Sequence, residues 1–132
     1  MCSTRWKREQ MKQCPVFSQM RQRTPKVHCL TNPVTMQDVA NVLLAAGGSA
    51  VMAQDAAEVE EITALCDATL LNTGVPSLEK FHACTLAGVR ANGLGHPVVL
   101  DPVGAGASAF RRSQLGALLE QVRPAIIRCN QE

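Results

Sequence analysis

The sequence predicts an α/β fold, a parallel sheet of about five strands joined by helices in βαβαβαβαβ order. Three observations carry this. Short unbroken apolar runs such as Pro97-Val98-Val99-Leu100 recur along the chain, as in strands covered by helices on both faces. Between them lie stretches with apolar residues at helical spacing. Glycine, proline and capping residues separate the two kinds of segment by short links, which implies parallel strands with right-handed crossovers.

Each element has a local reason. Cys14 to Arg23 reads as a helix with Val16, Phe17 and Met20 on one face, stopped by Pro25. Lys26 to Leu30 is the first strand. Asn32 is placed to cap a helix whose first residue is Pro33, a position proline favours. That helix carries Val39, Leu43 and Ala46 at helical spacing, with Ala40 and Leu44 beside them, and Gly47-Gly48 ends it. Ser49 to Ala53 is the second strand. Asp55 with Glu58 resembles a capping box opening a helix to about Leu65. Ala68 to Asn72 is the third strand, followed by a helix from near Ser77 to Leu94 that Gly93, Gly95 and Pro97 close. Pro97 to Leu100 is the fourth strand, and a helix covers about Ala109 to Val122 after a start at Ser108. Pro124 then precedes a fifth strand, Ala125 to Arg128.

Composition excludes several classes. With 46% hydrophobic and 18% charged residues, the 132-residue chain reads as one globular domain rather than a disordered segment. Aromatic residues make up only 3%, too few for the stacking platforms that bind single-stranded nucleic acid. No apolar stretch approaches the ~20 residues of a membrane span. The net charge of +2 divides into +6 before Val27 and −4 after it, so residues 1–13 are expected to be a basic, disordered leader and 14–132 the domain. Six cysteines without CxxC or regular spacing read as buried small hydrophobes in a reducing cytoplasm.

Function concentrates where the strands end. Parallel strands bring their carboxyl ends to one edge of the sheet, the edge at which open α/β sheets bind ligands. The first strand leads into Thr31-Asn32, the second into Met52-Ala53, the third into Asn72-Thr73-Gly74, the fourth into Asp101, and the fifth through Arg128 to Asn130. Each has a structural explanation alone: a cap, a turn, a strand end, a surface ion pair. Together they suit a charged ligand. After Asp101, Pro102-Val103-Gly104-Ala105-Gly106-Ala107 lacks the spacing of a dinucleotide or Walker loop, so any phosphate contact there uses backbone amides and a helix N-terminus. His28, inside a strand, reads as a core histidine, and His82 and His96 are too scattered for a metal triad.

Five segments, Val27-His28-Cys29-Leu30-Thr31-Asn32, Ala50-Val51-Met52-Ala53, Leu71-Asn72-Thr73-Gly74, Pro97 to Ala107, and Ile127-Arg128 through Asn130, resemble the hydroxyethylthiazole kinase family in order and without evident gaps. The resemblance implies a ribokinase-like, three-layer αβα fold. It implies ATP- and Mg²⁺-dependent phosphorylation of the primary alcohol of 4-methyl-5-(2-hydroxyethyl)thiazole in thiamine salvage, by a homotrimer with sites between subunits. Carried over by motif, Met52 contacts the thiazole, while Asn32 and Val34 line that site from the neighbouring subunit. Arg128 contacts ATP phosphates with Asn130 nearby, and Asp101 holds Mg²⁺ or orders the phosphates.

Cys129 and Val75 depart from the family pattern, which has glycine and threonine there. Family members run to about twice this length, and their C-terminal half carries a threonine-rich nucleotide loop, a glycine-rich anion hole and a cysteine near the reacting alcohol. The catalytic residues are therefore expected beyond Glu132, and the chain is expected to be an N-terminal half without turnover of its own. The alternative expectation is an inactive truncated subunit that binds thiazole or associates with full-length partners.

Overall fold

A computed structural model describes residues 15–130. The expected leader, Cys2, Cys14 and Glu132 lie outside the described residues. The elements alternate as α1 Pro15–Arg23, β1 Lys26–Leu30, α2 Met36–Ala46, β2 Ser49–Val51, α3 Val59–Ala64, β3 Ala68–Asn72, α4 Leu78–Leu94, β4 Val98–Asp101, α5 Ala109–Gln121 and β5 Ile126–Ile127. The strands form one parallel sheet in the order β2-β1-β3-β4-β5, as the α/β expectation requires.

Helix starts divide into two kinds. Ser77 and Ser108 are extended N-caps whose hydroxyls accept from the N–H groups of Lys80 and Arg111, both at 3.1 Å. Asn32 and Asp55 behave differently and correct the expected boundaries. The Asn32 side-chain oxygen takes both the Val34 and Thr35 N–H groups, so Pro33 sits in a turn and α2 begins only at Met36. Asp55 likewise binds the Ala57 N–H at 2.9 Å; a turn follows, and α3 opens at Val59 rather than through a capping box. In both places a short polar side chain holds a turn in front of the helix.

The sheet faces are unequal. Register pairs His28 with Thr69 and Thr69 with Val98, then Leu30 with Leu71 and Leu71 with Leu100, so these residues share one face. There they form a core with Val59 of α3, Ala83, Cys84 and Ala87 of α4, and Leu118 of α5, all essentially buried. At the α4–α5 crossing Gly88 lets the Val122 methyls approach; a Cβ on Gly88 would lie 2.6 Å from one of them. The opposite face carries Val27, Leu70 and Val99 beneath α2, with α1 packed on α2. The two-sided cover expected from the apolar strands is therefore only partial among the described residues. A groove of about 770 Å³ runs between α2 and β3–β4, no residue of α2 is buried, and Ile126 and Ile127 of β5 are 59% and 50% exposed. On α1, Phe17 and Met20 are half-buried but Val16 is exposed, so the expected face is narrower. Of the four described cysteines, Cys29, Cys66 and Cys84 are buried as expected, while Cys129 is exposed because it follows the two-residue edge strand β5.

Candidate functional site

The strand order turns between β1 and β3: β2 lies to one side, whereas β3, β4 and β5 follow on the other. Such a switch point opens a crevice at the carboxyl ends of the strands. Met52 follows β2, Asn32 follows β1, Asn72 ends β3, Asp101 ends β4 and Arg128 follows β5. The five side chains therefore stand in spatial sequence along one edge.

Four of them form a connected row. Asn32 Nδ2 donates to Asn72 Oδ1 at 3.1 Å, and Asn72 Nδ2 donates to Asp101 Oδ2 at 2.9 Å. Arg128 Nη1 approaches Asp101 Oδ1 at 3.7 Å, with its side chain 68% exposed. Both asparagine amides are nearly saturated and buried, each residue being 7% exposed: Asn32 Oδ1 holds the Val34 and Thr35 N–H groups, and Asn72 Oδ1 holds the Gly74 N–H. Gly74 is required for this fit. A Cβ there would lie 2.8 Å from Asn32 Nδ2 and 2.9 Å from Asn72 Oδ1. Just beyond it, Val75 adopts φ +49°, a backbone conformation that a β-branched residue takes only at a cost.

Beyond Asp101 the glycine loop encloses a cleft of about 450 Å³, lined by residues 101–107 together with Arg128, Cys129 and Asn130. The loop is braced from α5: Arg111 donates to the Val103 carbonyl and Arg112 to the Gly106 carbonyl, both at 2.8 Å. Gly104, at φ +61°, makes the left-handed turn. The cleft is thus lined by a carboxylate, a guanidinium in loose contact with it and a loop of small residues. Mg²⁺ is commonly bound by one or two carboxylates with waters and substrate phosphates rather than by an all-protein cage. Asp101, half-buried beside an open cleft, fits that role, and no cluster of three or more acidic, His or Cys ligands exists among the described residues.

The other expected site residues divide. Met52 is half-buried at the β2 end of the row. Next to it, the Ala53 carbonyl accepts from His28 Nε2 at 2.9 Å, and His28 Nδ1 meets the Thr63 hydroxyl at 2.8 Å. His28 is the core histidine expected, and burial pushes its pKa down. Val34 is 80% exposed, whereas the Asn32 side chain is used inside the chain. Lys80 was not legible as part of the site. Its ammonium donates to the carbonyls of Thr31 at 3.1 Å and Gly74 at 2.6 Å, and burial lowers its pKa. The only local hint was a cation in the first turn of a helix, where the macrodipole disfavours it.

The fold and this edge define an open α/β domain with a polar strand-end site suited to an anionic ligand. The model of the Hydroxyethylthiazole kinase family matches residues 17–132, and the chain belongs to that family. It is 53% identical over 115 residues to a hydroxyethylthiazole kinase of Desulfovibrio desulfuricans, covering 87% of this chain and 40% of that protein. A relative of the same name from Alkaliphilus oremlandii is 45% identical, with 89% and 43% covered. The solved hydroxyethylthiazole kinase of Pyrococcus horikoshii OT3 superposes with a TM-score of 0.84 at 39% identity, covering 89% of this chain and 46% of that one. The chain thus spans less than half the length of these relatives. A receiver domain of a sensor histidine kinase from Pseudomonas aeruginosa PAO1, at 18% identity and a TM-score of 0.57, shares the fold alone. No helix among the described residues is long and apolar enough to cross a membrane.

Proposed function

We propose that the chain forms the thiazole-facing and phosphate-facing part of a kinase that phosphorylates the primary alcohol of 4-methyl-5-(2-hydroxyethyl)thiazole with ATP and Mg²⁺. The carrying observation is the row Asn32–Asn72–Asp101–Arg128 beside the glycine-loop cleft, in a chain of this family. Phosphoryl transfer asks the protein mainly for positioning and charge stabilisation. Arg128, 68% exposed and only loosely paired with Asp101, offers a planar fork of donors to phosphate oxygens, with Asn130 beside it in the cleft. Met52 gives the thiazole an apolar contact at the other end of the row, and the turn held by Asn32 presents Val34 outward toward a neighbouring subunit of a homotrimer. Asp101 would hold Mg²⁺, which supplies neutralisation of phosphate charge when bound. A reducing cytoplasm suits the three buried free thiols.

We assign no catalytic base among the described residues 15–130, so binding without turnover is expected of them. Calorimetry with the thiazole alcohol and with MgATP tests the reading. Heat from both ligands, with the MgATP signal lost in Arg128→Ala, is expected. Silence with both overturns the reading, and clear transfer in a coupled assay overturns the expectation of binding without turnover.

A further inference from the structure

Lys80 stands where a cation is least expected. It occupies the first turn of α4, directly after the Ser77 cap, at the positive end of the helix dipole. Its two bonds go to backbone carbonyls on different strand-end loops. Thr31 immediately precedes Asn32, and Gly74 itself donates to Asn72 Oδ1. One ammonium therefore ties together the two segments whose side chains make the Asn32–Asn72 contact. Gly74 leaves no slack in this arrangement, since the space at its Cα is filled by those same two amides.

We propose that Lys80 is a positioning residue: by clamping the Thr31 and Gly74 carbonyls it sets the Asn32–Asn72 link between the substrate end and the phosphate end of the site. This rests on the kinase reading for its consequence in binding, but not for the clamp itself. Lysine suits the task because its compact ammonium can direct separate donors at two carbonyls approached along a flexible stem. Without it both carbonyls lose a charge-assisted partner, and the loops drift apart at the topological switch.

Hydrogen exchange and calorimetry on the 132-residue protein test this with Lys80→Met and Lys80→Arg. In K80M, the N–H groups of Val34, Thr35 and Gly74 should exchange at least about tenfold faster, while those of Leu71 and Leu100 keep their rates. The thiazole alcohol should bind about tenfold more weakly, equal to about 1.4 kcal/mol. K80R, keeping charge and donors, should recover most of both. Unchanged exchange at the three loop amides overturns the clamp. A uniform rise that includes Leu71 and Leu100 overturns it as well, because it marks general destabilisation. Faster loop exchange with wild-type affinity overturns the positioning role. Faster loop exchange in a protein whose wild type binds neither the alcohol nor MgATP supports the clamp and sinks the kinase reading instead. If K80M does not fold, K80Q is measured by the same criteria.

Discussion

Replacing Gly74 by alanine tests the amide pair at the centre of the site. The added Cβ would sit 2.8 Å from Asn32 Nδ2 and 2.9 Å from Asn72 Oδ1, below any ordinary carbon contact. Neither amide can yield cheaply. Asn32 is fixed by two backbone N–H groups, and Asn72 is fixed by Gly74 and Asp101. Relief therefore breaks a buried hydrogen bond, at about 1–3 kcal/mol, or strains the packing by a similar ~1–3 kcal/mol. The loss of glycine's freedom in the unfolded chain offsets about 0.4–1 kcal/mol, because no positive φ is recorded at Gly74. A net destabilisation of about 1.3 kcal/mol remains, which lowers Tm by about 4–7 °C for a chain of this size. Gly116 is the internal control. It lies within α5 with nothing inside 4 Å of its hypothetical Cβ. Gly116→Ala should therefore raise stability by about 0.5–1 kcal/mol. Thermal unfolding followed by circular dichroism measures both variants. A Gly74→Ala protein melting at or above the wild-type temperature would refute the claim that the amide pair is sterically locked.

Three further outcomes are expected. Gly88→Ala should lower stability by about 1–3 kcal/mol by overpacking against Val122, and Val122→Ala in the same chain should recover part of the loss, measured as a coupling in urea unfolding. His28 is held neutral by burial with its pKa below the ordinary 6.5, so the unfolded chain takes up the proton first. Stability should be complete above about pH 6.5 and decline as pH falls toward the folded value, and His28→Gln should flatten that limb; an acid limb unchanged in the variant would contradict the assignment. Among the four described cysteines, Cys129 should be alkylated first in the native protein. Burial pushes the Cys29 and Cys84 thiols up to about 11 and about 12, so peptide mapping should find both protected until unfolding.

Much of this architecture was legible because its signals are local. The order of elements, the serine caps at Ser77 and Ser108 and the αL glycines Gly47 and Gly95 follow from neighbours a few residues away. Boundaries failed where a local polar group had two uses: Asn32 and Asp55 have the chemistry of helix caps but hold turns. The apolar runs suggested full cover on both faces, yet apolarity records only that a residue tolerates burial, and α2 leaves the second face half open.

The sequence by itself determined that Asn32, Met52, Asn72, Asp101 and Arg128 would end at one edge, because parallel strands allow no other outcome. Only the tertiary structure decided who stands beside whom. The order β2-β1-β3-β4-β5 makes Asn32 the neighbour of Asn72 across 40 residues, and brings the Lys80 ammonium to Thr31 across 49. Strand adjacency is set by long-range pairing and by which helix covers which face. No short window of residues carries that information.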